Sequence, residues 1–345
     1  MGQGPERGRG GIVVVSSLVR SLHTVASAGT GGPFDAVHVR VFYPSQVPGG
    51  TNSERPAELS SGTIAADEAL APFPIVVICN PVNIGPEYYR WLALTLAPRG
   101  YLVATFSWLS PGPGGMVVQA GGPLSAMGGE GDQAPAVKVI TNALDELNAG
   151  TGILAGLLDT TRVGVIGHSA GGTIALGAAD HRYHPAVKAV VSISAHTAVG
   201  VPPADGFGTT MRTTPTDCPV LLIGGTHDGV IDRSRFRYDT PPGVEWDPVG
   251  RTFREAFTSD RGDCILAVVR GANHFSFTDP DDDPTAGRPF LDHPAATAGL
   301  IVRAHTASMI GAFFDQHVRV EHPQESAAAL DALLADPLIA LSQRR

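Results

Sequence analysis

The chain alternates short apolar runs with segments that have helical spacing. Continuous apolar runs are typical of strands that are covered on both faces of a sheet, and they occur at residues 74–79, 101–106, 162–166, 187–193, 219–223 and 264–269. Residues 37–43 alternate apolar and polar positions, which predicts a half-buried strand. Helical spacing predicts helices over residues 88–97, 136–147, 170–179, 298–317 and 325–340. Strands that alternate with helices predict an α/β fold, with a mostly parallel central sheet and helices on both faces.

The pattern divides the chain into three parts. Residues 1–33 are glycine-rich and are predicted to be an N-terminal extension without a definable element, and residues 319–345 a helical tail. The α/β domain is predicted to span residues 34–318. Inside it, residues 110–135 and 232–262 are predicted to be loops that shape the functional site, since long loops in compact domains are usually functional.

Composition excludes several classes of protein. With 43% hydrophobic and 17% charged residues, the chain of 345 residues is too apolar for a disordered protein. Its formal net charge of −9 argues against nucleic acid as a partner and gives no electrostatic reason to bind an anionic membrane. No apolar stretch reaches about 18 residues, so we expect no membrane span.

The three cysteines lie in apolar runs, at positions 79, 218 and 264. An odd number without a CxxC motif indicates neither a disulfide framework nor a zinc site, so buried free thiols are expected. Such thiols favour a reducing compartment, and the cytoplasm is the predicted location. Export stays open, because Ala-Ser-Ala at 26–28 resembles a signal cleavage site, although polar residues interrupt the preceding apolar run.

The strongest chemical signal is the pentapeptide 167–171, Gly-His-Ser-Ala-Gly, which matches G-x-S-x-G. It follows a predicted strand and precedes a predicted helix, which is the context that a nucleophile elbow requires. The residues two before and two after the serine crowd together at such a turn, and glycine fits there. The helix N-terminus also directs free N–H groups towards the site. We therefore predict Ser169 as a nucleophile.

A serine nucleophile needs a base and an acid that orients the base. In this arrangement the order along the chain is serine, acid, histidine, with the acid and the histidine each following a strand. Asp228 follows the strand at 219–223, with Asp232 as the alternative, and His274 follows the strand at 264–269. His227 precedes the acid in the chain, so it is not the predicted base.

Two backbone N–H groups should bind the negative oxygen of a tetrahedral intermediate. Ala170, directly after the nucleophile, is one predicted donor. The other belongs to the turn at 80–83, where Pro81 has no N–H. Val82 is the predicted donor and Asn83 is the alternative.

The remaining predictions concern the pocket and bound groups. The predicted pocket residues are Asn83, Trp108, His168 and Phe275, with core packing as the alternative for Trp108. The carboxylates at 279 and 281–283 lack the spacing of a calcium loop, so a solvated acidic loop is expected. We predict no metal and no cofactor.

The segments around Ser169, Asp228 and His274 resemble the α/β-hydrolase superfamily over residues 34–318. Residues 39–45 resemble the first strand of enzymes similar to platelet-activating-factor acetylhydrolase and dienelactone hydrolase. Residues 80–93 and 98–104 look like the oxyanion segment of chlorophyllases and bacterial polyester hydrolases, and 167–172 is similar to their elbow. The chain departs from these families where Asn80-Pro81 replaces the usual His-Gly, and Ser169 replaces the cysteine of dienelactone hydrolase proper.

The resemblance implies a soluble, cofactor-free serine esterase or lipase. The predicted function is carboxylic ester hydrolysis on a small-molecule substrate, through an acyl-enzyme. Acyl transfer or amide cleavage by the same three residues is an alternative, since exclusion of water from the acyl-enzyme decides between hydrolysis and transfer. A catalytically dead binding protein is a third possibility. Oligomeric state stays open.

Overall fold

The computed structural model describes residues 18–45, 65–127, 130–200, 209–238, 245–283 and 288–345. Its strands are β1 Leu18–Ser27, β2 Ala36–Ser45, β3 Phe73–Cys79, β4 Leu102–Pro111, β5 Val117–Ala120, β6 Leu158–His168, β7 Val187–Ile193, β8 Ala198–Gly200, β9 Thr209–Met211, β10 Val220–Gly225, β11 Ile265–Val269 and β12 Ile339–Arg344. Its α-helices are α1 Arg90–Leu96, α2 Pro135–Ala149, α3 Ala170–Gly177, α4 Gly229–Arg233, α5 Pro248–Arg251, α6 Arg288–Leu291, α7 Gly299–Phe314 and α8 Pro323–Leu334. Short 3-10 helices include Pro86–Tyr89, Ser234–Tyr238 and His274–Phe277.

One large sheet organises the molecule. Its strand order is β1-β2-β4-β3-β6-β7-β10-β11-β12, and β5 pairs with β4. The six strands from β4 to β11 in this order are parallel, whereas β1, β2, β5 and β12 pair in the antiparallel sense. This confirms the predicted α/β class and the mostly parallel central sheet.

The sheet separates two hydrophobic layers. Side chains alternate along a strand, so in β3 Ile75 and Val77 pack in one cluster, and Val76 and Ile78 pack in another. The first cluster includes side chains of α2 and α3, and the second includes side chains of α1, α7 and α8. Helices therefore cover both faces, which explains why the central strands are continuous apolar runs.

Both edges of the sheet differ from the prediction. β1 lies within the part assigned to an N-terminal extension, yet it pairs with β2 from Leu18 opposite Ser45 to Ser27 opposite Ala36. Residues 1–17 lie outside the described part. The predicted helix over 325–340 is wrong in its last part, because α8 ends at Leu334 and β12 pairs with β11. Pro337 stands three residues beyond Leu334, and a proline cannot continue a helix.

The two predicted loops contain regular structure. In the segment 110–135, β5 pairs with the end of β4 and so extends the sheet at that point. The segment 232–262 holds the 3-10 helix Ser234–Tyr238, α5 and a π-helical turn at Thr252–Ala256. Residues 128–129 and 239–244 of these segments lie outside the described part.

All three cysteines are free and buried, as predicted. Among the described helices, none combines the length and apolarity that crossing a membrane requires. The parallel strands β3, β6, β10 and β11 end at the same edge of the sheet, and the turns that follow them carry Val82, Ser169, Asp228 and His274.

Candidate active site

Ser169 occupies a strained turn between β6 and α3. Its backbone has φ 55° and ψ −124°, in the left-handed half of conformational space that residues with a Cβ rarely adopt. The turn is tight, because a Cβ on Gly167 would lie 2.0 Å from the carbonyl oxygen of Gly171. A Cβ on Gly171 would lie 2.2 Å from the carbonyl oxygen of Cys79. Both glycines of the motif are therefore required by close approach of backbone to backbone.

Asp228 and His274 form a buried acid–base pair. The Nδ1 atom of His274 lies 3.0 Å from each carboxylate oxygen of Asp228, and the two residues are 2% and 8% exposed, respectively. Asp228 also begins α4, where its side chain accepts a hydrogen bond from the N–H of Ile231 at 2.9 Å. His274 begins a 3-10 helix whose preceding residue, Asn273, forms a capping box with Ser276.

Two effects oppose each other at His274. Burial lowers its pKa, and the charge and hydrogen bond of Asp228 raise it, with a further raising effect from the charge of Asp292. The net effect is a raised pKa, since the negative charges stabilise the imidazolium. When the neutral ring donates a hydrogen bond from its Nδ1–H to Asp228, Nε2 is left as a proton acceptor.

Asp292 is a second buried carboxylate that the sequence did not single out. Its Oδ1 accepts hydrogen bonds from the N–H groups of Gly229 at 2.7 Å and His293 at 2.9 Å, and its Oδ2 accepts from Phe275 at 3.2 Å. Gly229 follows Asp228 and Phe275 follows His274, so one side chain ties together the two turns that carry the acid–base pair. Burial raises the pKa of Asp292, and the charge of Asp228 raises it further.

Both predicted oxyanion donors, Val82 and Ala170, line the same cavity as Ser169. The N–H of Ala170 belongs to the first turn of α3, which has no intrahelical acceptor. The N–H of Asn83, the alternative donor, bonds to the carbonyl oxygen of Gln119 at 2.8 Å, whereas that of Val82 has no acceptor in the described part of the chain.

The turn before Val82 is held by Asn80. Asn80 is fully buried, and its side-chain amide donates to the carbonyl oxygens of Ile84 at 2.6 Å and Pro81 at 3.2 Å. The asparagine thus closes the turn on itself. These two hydrogen bonds hold the turn in shape although it lacks a His-Gly pair.

The cavity has a volume of about 610 Å³, within the range of about 300–1,000 Å³ that is common for small-molecule sites. Ser169 and His274 line it, as do the predicted pocket residues Asn83 and Phe275. The other two predicted pocket residues, Trp108 and His168, are not among the lining residues, and for Trp108 the structure favours the alternative of core packing.

Both side chains pack elsewhere. Trp108 is 5% exposed and belongs to the hydrophobic cluster on one face of the sheet, because β4 continues to Pro111 and so keeps Trp108 inside the strand. His168 lies behind His274, with ring centroids 4.6 Å apart, and its Nδ1 lies 2.5 Å from the hydroxyl of Tyr89.

The alternative acid does not reach the histidine. Asp232 forms an ion pair with Arg235 at 3.0 Å and lies 3.3 Å from His293. His227 bonds to the hydroxyl of its neighbour Thr226 at 2.9 Å. The structure therefore brings together Asp228 and His274, the pair that chain order favoured.

One group of residues that line the cavity was not predicted from the sequence. It includes three arginines, Arg212, Arg233 and Arg237, and His196. The ring of His196 packs edge-on against Tyr238 and Trp246, and burial lowers its pKa to about 4. Among the residues that the structure describes, no group of three metal-ligating side chains has a metal-binding arrangement.

Comparison with known proteins gives no family for this chain. No family model matches it, and no curated protein matches its sequence. Its function must be inferred from the site.

Proposed function

We propose that this protein is a serine hydrolase that cleaves carboxylic esters through an acyl-enzyme, on an α/β-hydrolase fold related to the esterase families named above. The observation that carries the proposal is one constellation. Ser169, on a strained left-handed turn, lines the same cavity as His274, and the Nδ1 atom of His274 lies 3.0 Å from Asp228. Buried acid–base pairs next to a serine at a helix N-terminus are typical of nucleophilic catalysis.

In the proposed reaction, the Oγ atom of Ser169 attacks the carbonyl carbon of the ester and gives its proton to Nε2 of His274. Asp228 stabilises the imidazolium, and the N–H groups of Ala170 and Val82 bind the oxyanion. The tetrahedral intermediate collapses, the C–O bond to the alcohol breaks, and His274 protonates the alcohol as it leaves. Water then attacks the acyl-enzyme, His274 takes its proton, and the acid is released with Ser169 restored.

The test combines labelling with one substitution. We expect a fluorophosphonate to form a covalent adduct at Ser169, located by peptide mass mapping. Ser169→Ala should lose both the adduct and about 10⁴–10⁶ of kcat on an activated ester. Ser308→Ala is the control, since Ser308 is exposed on α7 and its hydroxyl donates to the carbonyl oxygen of Ala304.

Two results would contradict the proposal: wild-type protein that neither reacts with the label nor hydrolyses any ester, or an Ser169→Ala variant that keeps full activity. The same acyl-enzyme also tests transfer. If an added alcohol captures the acyl group faster than water does, the function is acyl transfer by the same residues.

A further inference from the structure

The cavity at Ser169 is positively charged. Arg212, Arg233 and Arg237 line it, and none of the other lining residues in the described part of the chain is an aspartate or a glutamate. Guanidinium groups stay protonated at neutral pH. The cavity lining therefore includes three cationic groups: Arg212 after β9, Arg233 at the end of α4, and Arg237 on the 3-10 helix that directly follows α4.

Among the residues that the structure describes, these arginines lack the kind of acidic partner that the neighbouring Arg235 has. Arg235, on the same short helix as Arg237, forms an ion pair with Asp232 at 3.0 Å. In contrast, none of the three lining arginines forms an ion pair with a described carboxylate. Arg233 donates to the backbone carbonyl oxygen of Phe290, which is a neutral acceptor.

Arg212 is the clearest case. It directly follows β9, its side chain is half-buried, and its Nε–H is buried without a hydrogen-bond acceptor among the described residues. A donor withdrawn from water without an acceptor is unfavourable, and the penalty is larger for a charged group. Burial lowers the pKa of Arg212, as expected of a cation that lacks a compensating charge. An anion in the cavity would supply the compensating charge that Arg212 lacks among the described residues.

The positive charge of the cavity lining is opposite in sign to the net charge of the chain. The formal net charge of the chain is −9, so a random sample of its surface would be acidic. His196 adds no charge at neutral pH, since its pKa is about 4. Cationic groups that line a cleft concentrate anionic ligands there, also where they are exposed as Arg233 and Arg237 are.

We propose that the ester cleaved at Ser169 carries a negatively charged group, a carboxylate or a phosphate, which Arg212 and Arg237 bind with Arg233 beside them. This inference rests on the proposed hydrolysis and adds the substrate class. Planar guanidinium groups match both kinds of anion, because two parallel N–H donors fit two oxygens.

Paired substrates test it, each charged ester against an uncharged counterpart in which a methyl ester or a methyl ether replaces the anionic group. The pair 4-nitrophenyl hydrogen adipate and 4-nitrophenyl methyl adipate places the carboxylate in the acid part. The pair 4-acetoxybenzoate and methyl 4-acetoxybenzoate places it in the leaving group, and 4-acetoxyphenyl phosphate against 4-acetoxyphenyl methyl ether tests phosphate. Each kcat/KM is divided by the rate of hydroxide-catalysed hydrolysis of the same ester, which removes differences in intrinsic reactivity.

We expect the charged member of at least one pair to be preferred about 10- to 100-fold, the usual range for a hydrogen bond to a charged group. Arg212→Gln and Arg237→Gln should each lower this ratio about tenfold. Arg235→Gln is the matched control, because Arg235 is paired with Asp232 and does not line the cavity. Its ratio should equal that of the wild type.

The outcomes separate the two proposals. If Ser169 is labelled and the wild type cleaves the uncharged esters as fast as the charged ones in every pair, the anionic substrate is wrong and ester hydrolysis stands. An unchanged ratio in both arginine variants also overturns the assignment of the anion site. If no ester is cleaved and Ser169 is not labelled, the proposed function fails, and the substrate class fails with it.

Discussion

Replacing Asp292 by asparagine removes one buried negative charge and keeps the shape of the side chain. In the wild type its two oxygens accept three backbone hydrogen bonds, of 2.7, 2.9 and 3.2 Å. An amide offers one oxygen, and its NH₂ group would face an N–H donor at the other position. The favourable orientation keeps the bonds from Gly229 and His293 and leaves the N–H of Phe275 without an acceptor.

The size of the effect follows from these bonds. Loss of one hydrogen bond to a charged acceptor reduces the free energy of unfolding by about 1.5–3 kcal/mol. Removing the like charge next to Asp228 offsets part of this loss, because burial and the charge of Asp228 both raise the pKa of Asp292. We therefore expect Asp292→Asn to be less stable by about 1–2 kcal/mol, measured by urea unfolding.

The kinetic effect has a definite sign. His274 acts as a base when neutral, so kcat/KM rises as the pH passes its pKa. The charge of Asp292 helps to raise that pKa by stabilising the protonated ring. Without it, the acid limb of the pH profile should move to lower pH, and kcat should fall because the turn carrying His274 is held less firmly.

Asp315→Asn is the control for this experiment. Asp315 lies near the amino end of β4, where it accepts hydrogen bonds from Tyr101 at 2.9 Å and from Arg99. Its loss should lower stability and leave the acid limb in place. If the acid limb of Asp292→Asn stays where it is or moves to higher pH, the electrostatic reasoning about His274 is wrong.

Two further substitutions test the turn at the nucleophile and the cavity wall. Gly171→Ala would place a Cβ 2.2 Å from the carbonyl oxygen of Cys79 and 2.6 Å from that of Asn80, so kcat should fall and the free energy of unfolding should decrease by about 1–3 kcal/mol. Gly152→Ala is the control and should change neither, because a Cβ there meets open space. Unchanged kinetics in Gly171→Ala would contradict the close approach. Burial lowers the pKa of His196 from 6.5 to about 4 in the folded protein. Between these pH values the unfolded state binds the proton and the folded state does not, so the free energy of unfolding should rise with pH in this range. Burial also lowers the pKa of His317 to about 4, so His317 contributes to the same slope. His196→Gln should therefore reduce the slope by about half in a pH series of urea titrations, and a slope equal to that of the wild type would show that His196 does not contribute.

The sequence predicted what depends on local pattern. Continuous apolar runs located the central strands, and the rule that functional residues follow strands selected Ser169, Asp228 and His274. The two edge strands β1 and β12 escaped prediction, because edge strands expose polar side chains and lack a continuous apolar run. Trp108 lies in the core and not at the pocket because β4 continues five residues beyond the predicted end at 106.

Other parts of the site depend on contacts between distant segments. Asp292 follows the short helix α6 and not a strand, and its importance comes from backbone N–H groups 17 and 63 residues away. The arginines lie in segments without apolar periodicity, and only the folded chain shows that they meet at one cavity.

The double attachment of Asp228 affects how variants at this position should be interpreted. One of its oxygens serves the first turn of α4 as well as the imidazole of His274. That helix supplies Val230, Ile231 and Arg233 to the wall where substrate would rest. Substituting Asp228 would therefore loosen a binding surface while it weakens a base, and the resulting kinetic defect would be a composite of recognition and proton transfer.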